Sequence, residues 1–146
     1  MWNRFLHKLR LARGLSFSDW LALVEAWWAL AVFYLALRGM SYERLEQSGR
    51  SGLTAASEPL SVARRLHRLV GWASRLHLLS MTCLAQSLAL RWMLRRRGIS
   101  SQLKVGAANV SGTFHAHAWL EMDGEKIGES EDGNGIFRAL AGRTLP

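Results

Sequence analysis

The apolar positions of this 146-residue chain change period along its length. Residues 1–14, MWNRFLHKLRLARG, set Trp2, Phe5, Leu6 and Leu9 at helical spacing with Arg4, Lys8 and Arg10 around them. That pattern predicts a short basic amphipathic helix stopped at Gly14. Such a helix either packs on its own domain or docks on a membrane surface or a partner. From Trp20 to Leu37 the chain reads WLALVEAWWALAVFYLAL, and its longest uncharged run is Ala26–Leu37. That run makes only about 18 Å of helix, and a bilayer span needs about 20 apolar residues. A buried or interfacial helix is therefore expected, capped by Ser16 or Ser18, with Asp19 in its first turn and a stop at Gly39. A secretory leader fits poorly, because Asp19 and Glu25 stand where a basic leader should run into its apolar core.

Residues 41–58 are small and polar and read as a linker. Pro59 opens the next helix. Val62, Leu66, Leu69, Val70, Ala73 and Leu76 form its stripe, and Arg64, Arg65, Arg68 and Arg75 lie off it as a solvated face. A third helix occupies residues 80–98, with Ser80 or Thr82 as cap, Leu84, Leu88 and Trp92 as stripe, and Gly98 as stop. Arg95–Arg97 fall in its last turn, where the helix dipole favours cations. After Gly98 the period becomes two. Ile99–Ala107 reads as a strand, Asn109–Gly112 as a break, TFHAHAWLE at 113–121 as the clearest strand, Asp123–Gly124 as a turn and Glu125–Ser130 as a return strand. Helices followed by a small antiparallel sheet make an α+β fold. The chain divides into apolar N-terminal helices and linker (1–58) and a core (59–146).

Composition narrows the classes. Apolar residues at 49% against 21% charged exclude a disordered chain. A single cysteine, Cys83, excludes a disulfide scaffold and fits a reducing, cytoplasmic setting. Residues 1–120 hold 16 Lys and Arg against 5 Asp and Glu, and residues 121–146 hold 3 against 6. A basic body with an acidic tail suits an acidic partner without naming it. The arginine run already has a structural reason, so nucleic acid is not expected.

Cys83 falls at the start of its helix, where free N–H groups and the dipole favour a thiolate and can donate to an oxyanion. Its other reading is a small packed core residue. On the strand 113–121 the even positions Phe114, Ala116, Ala118 and Leu120 are apolar. The odd ones are His115, His117, Trp119 and Glu121. An H-x-H pair with Cys83 or Glu121 would be a metal reading. A helix-start Cys followed by a strand His is instead the order of papain-like and transglutaminase-like thiol enzymes.

The segments MTCLAQSLALRWMLRRRGI, LKVG and FHAHAWLEMDG resemble the leader peptidases of lasso-peptide biosynthesis, which are transglutaminase-like cysteine proteases. The resemblance covers residues 60–140. It implies Cys83 as nucleophile, His117 as general base, and no metal or cofactor. It also implies a precursor peptide as substrate, a separate leader-binding protein and an ATP-dependent cyclase. The family usually has an Asp about a dozen residues after the His, and Glu129 stands in that place here. A three-residue loop, Met122–Gly124, would pair position 117 with Glu129. A two-residue loop, Asp123–Gly124, would pair it with Ser130, make Asp132 the diagonal candidate and set Ile127 opposite Leu120. Glu129 is taken as the acid. Asp123 sits about 20 Å along the strand from His117 and is excluded. His115, about 7 Å up the strand, is expected to line the substrate groove, and Trp119 to shield the catalytic pair. Two alternatives stay open: a transglutaminase or amidase using the same site, and a non-catalytic basic module for membrane or nucleic acid with Cys83 merely packed.

Overall fold

The computed structural model describes residues 15–39, 58–110, 113–128 and 138–139, with side chains at all of these except 108–110, 114, 115, 138 and 139. The expected basic helix 1–14, the linker and the acidic segment with Glu129 and Asp132 lie outside the described residues. Among the described residues three helices precede four strands: α1 Phe17–Gly39, α2 Pro59–Leu76, α3 Cys83–Arg96, β1 Gln102–Val110, β2 Thr113–Met122, β3 Glu125–Lys126 and β4 Arg138–Ala139. The sheet is antiparallel in the order β3-β2-β1-β4. The α+β expectation holds.

Each helix begins and ends for a local reason. Ser16 caps α1 reciprocally: its hydroxyl accepts from the Asp19 N–H, and its own N–H donates to the Asp19 carboxylate at 3.0 Å. Pro59 occupies the first turn of α2, where its missing N–H costs nothing. Thr82 caps α3 by accepting from the Ala85 N–H at 3.2 Å. At the other end of α3, Gly98 takes φ 72°. Its N–H bonds the Arg95 carbonyl, while that of Ile99 bonds Leu94. This is the Schellman stop, and it buries Ile99 beside Leu94. Ile99 is thereby used by the helix, and β1 starts at Gln102 rather than at Ile99. β1 then runs on to Val110, through the first residues of the expected break.

α3 packs on β1 and β2, while α1 and α2 pack on α3 and on each other. Alanines at the crossings, Ala26, Ala63, Ala73 and Ala89, let the helices approach closely, and Leu30, Leu88, Met93, Leu94 and Leu120 fill the space between. Burying each such large side chain contributes about 1.5–3 kcal/mol. α1 therefore shares one core with the helices and sheet that follow it.

The arginines do more than their positions suggested. Glu25, the acid inside the apolar run of α1, receives Arg97 at 2.7 Å and Arg96 at 3.0 Å. Arg65 reaches Asp19 at 2.5 Å, and Arg64 pairs with Glu125. Two arginines expected on a solvated face are thus tethers, and two expected only to suit the dipole hold α1 to α3. Leu76, expected on the α2 stripe, is exposed.

The β2–β3 hairpin corrects the loop expected at Met122–Gly124. Met122 pairs with Glu125 and Glu121 with Lys126, leaving Asp123 (φ 51°) and Gly124 (φ 82°) as a two-residue turn. Both central residues have positive φ, which suits the right-handed strand twist. The Ile127 N–H reaches the Leu120 carbonyl at 2.9 Å. Of the return strand expected over Glu125–Ser130, the ladder takes in Glu125–Lys126, Gly128 adopts φ 84°, and residues 129–130 lie outside the described residues. β4, which no periodicity announced, pairs with β1 at Gly106 and Ala107.

Candidate active site

Cys83 is the first residue of α3, and helix geometry leaves its N–H and that of Leu84 without an intrahelical acceptor. Ser87 lies one turn further along. Its buried hydroxyl donates to the Ala118 carbonyl at 3.0 Å. Ala118 follows His117 directly, so this bond fixes the cysteine helix against the histidine strand.

The result is a cavity of about 240 Å³ whose wall includes Cys83, Gln86, His117, Trp119, His67 and Gly128. Its wall also takes in the consecutive residues His117 to Leu120. Cys83 is half-buried, as is His117. Gln86 is held by its side-chain N–H to the Met81 carbonyl at 3.4 Å.

Trp119 is buried and lies 6.0 Å from His117 with their rings nearly parallel. Its indole N–H donates to Glu121 at 2.9 Å, and the Lys126 ammonium sits 4.5 Å over its ring. Glu121 is therefore engaged by Trp119 rather than turned toward Cys83. Among the described residues no group of three His, Cys, Asp or Glu is arranged to hold a metal.

The structure thus brings Cys83, His117 and Trp119 together. His115 pairs with Ala108 in the β1–β2 ladder, two residues up the strand. Its side chain and the whole of Glu129 lie outside the described residues. The expected division of β2 into one buried and one functional face is corrected. Ala116 is exposed, while Ala118, Trp119, Leu120 and Met122 are all buried. Burial runs through consecutive residues 118–120 here, beside the Ser87–Ala118 bond that ties the strand to α3.

Sequence reading passed over His67 and Gly128. A Cβ built on Gly128 would stand 2.1 Å from Nδ1 of His67, so this backbone lies directly against the imidazole. The available signal was a histidine bordering the apolar stripe of α2, between Leu66 and Val70.

A family model described as the transglutaminase-like superfamily matches residues 20–142. No curated protein and no solved structure shows significant similarity to the chain. The matched span takes in the cavity, nearly all of α1 and every later element, and on that match the chain belongs to the transglutaminase-like superfamily, whose members are usually cysteine peptidases or acyltransferases.

Proposed function

We propose that the chain is a cysteine peptidase that removes the leader from a ribosomal precursor peptide during lasso-peptide maturation. The observation that carries the chemistry is the single cavity lined by the helix-start Cys83 and by His117. The Cys83 thiolate attacks the carbonyl at the leader–core junction. His117 takes the thiol proton and returns it to the leaving amine. The N–H groups of Cys83 and Leu84 receive the oxyanion. Water then attacks the thioester and releases the leader carboxylate, regenerating the thiol. An acid on the segment after Gly128 orients His117, with Glu129 and Asp132 as the candidates.

The resemblance of the cysteine helix and of FHAHAWLEMDG to the leader peptidases supports the choice of substrate. A separate leader-binding protein then presents the precursor and an ATP-dependent cyclase takes the freed core peptide, in a reducing cytoplasm. The test is cleavage of such a precursor, read by mass. Cys83→Ala should remain folded and inactive, and His117→Ala should lose about 10²- to 10⁴-fold in rate. Iodoacetamide should label Cys83 in the native protein and abolish turnover. Glu129→Gln and Asp132→Asn separate the two acids by which one slows the reaction. A leader bearing a new amide in place of a carboxylate would assign the transglutaminase reaction instead, and activity retained by Cys83→Ala would remove the thiol mechanism altogether.

A further inference from the structure

α1 is built the wrong way round for a helix facing water. Its two acids, Asp19 and Glu25, are taken up by Arg65, Arg96 and Arg97 from the other helices. Its outer side carries Trp20, Leu21, Val24, Trp28, Val32 and Leu35, each between 46% and 62% exposed among the described residues. From Leu21 on they recur every three or four residues, and with Trp20 they make one stripe about 22 Å long at 1.5 Å per residue. A surface helix of a soluble domain shows water its polar side, and a contiguous apolar patch of this size marks an interaction surface.

Charge decides what covers it. The chain carries a net +8, so a second copy laid along the stripe adds like-charge repulsion. The 14 residues that lead into the stripe hold four Lys or Arg and no acid. Beyond its far end Arg38 donates to the Tyr34 hydroxyl at 3.0 Å and lies 4.8 Å over the ring. In the sequence, cations thus flank an apolar run that carries tryptophans, the pattern of a helix lying in a lipid interface. α1 is long and apolar enough to cross a bilayer by length and composition. Crossing is ruled out by its inner face, which packs on α2 and α3 beside Arg65, Arg96 and Arg97.

We propose that the outer face of α1 is a docking surface that seats the protein in the plane of an anionic bilayer. The assignment is independent of the peptidase reading. No residue of α1 lines the Cys83–His117 cavity, so the stripe and the cavity are built from different residues.

The test uses the full chain with vesicles of phosphatidylcholine alone and of phosphatidylcholine with phosphatidylglycerol. Co-sedimentation with the anionic vesicles should exceed that with neutral ones at least tenfold and fall with added salt, with a blue shift of tryptophan emission. Val24→Glu/Trp28→Glu should lose at least tenfold in binding while Cys83 alkylation stays unchanged. Val24→Lys/Trp28→Lys should lose binding too, which separates insertion from attraction alone. Three results would overturn the proposal: no preference for anionic vesicles, undiminished binding by the Lys variant, or a dimer in solution that the Glu variant breaks in the absence of vesicle binding.

Discussion

Gly128 shows how one residue can hold the site together. Its φ of 84° is poorly accessible to other residues, and its missing Cβ leaves room for the His67 ring. Gly128→Ala meets both obstacles, and His67→Ala removes only the second. The double variant should therefore be less destabilised than Gly128→Ala alone, with a coupling of about 0.5–3 kcal/mol in a denaturant cycle. Strict additivity would show that the two do not pack. His67 was readable as a histidine bordering an apolar stripe. Its partner was not, because nothing in the string KIGES says that Gly128 takes a positive φ against a histidine of α2.

At the scale of elements, the helices are joined by charges that were legible only as compositional facts. Asp19 is held at a pKa of about 2 by the hydrogen bond from Arg65 and then by that from Ser16. A carboxyl lowered in the folded state contributes stability above its unfolded value of about 3.9, and that contribution is lost as pH falls toward 2. Urea midpoints measured at about pH 5 and about pH 2.5 should drop further in the native chain than in Asp19→Asn. An equal drop in both would mean that the α1–α2 clamp does not form in solution. The helices themselves were nearly complete in the sequence, since caps and stops are local chemistry: Ser16, Pro59, Thr82 and Gly98 each act within a few residues. Strand limits were less legible. Ile99 and Gly128 obey a helix stop and a left-handed turn rather than the period-two pattern.

For the molecule as a whole, the division after residue 58 is a change of composition and not a break in packing. Leu30, Phe33 and Ala26 of α1 sit in the same cluster as Leu66, Met93 and Leu120. Deleting residues 1–39 should expose that cluster and abolish cooperative unfolding, whereas deleting 1–14 should leave the thermal transition in place. A sharp transition in the shorter chain would make α1 an appendage. Its two long faces meet different surroundings, one the protein core and one the proposed lipid surface. A single apolar run could not show that partition, since both faces are written in the same residues.

The sequence by itself determined the helix-first α+β order, the helix ends, the position of Cys83 at a helix start and the strand that carries His117. Each follows from local propensity or from a period that neighbours impose. Only the tertiary structure decided that Cys83, His117 and His67 share a cavity, that Glu25 and Asp19 turn inward to arginines, and that the hairpin takes the two-residue loop. Those outcomes depend on which groups far apart in the chain come to line one space, and a cavity shared across 34 residues, from Cys83 to His117, has no signature in the periodicity of either segment.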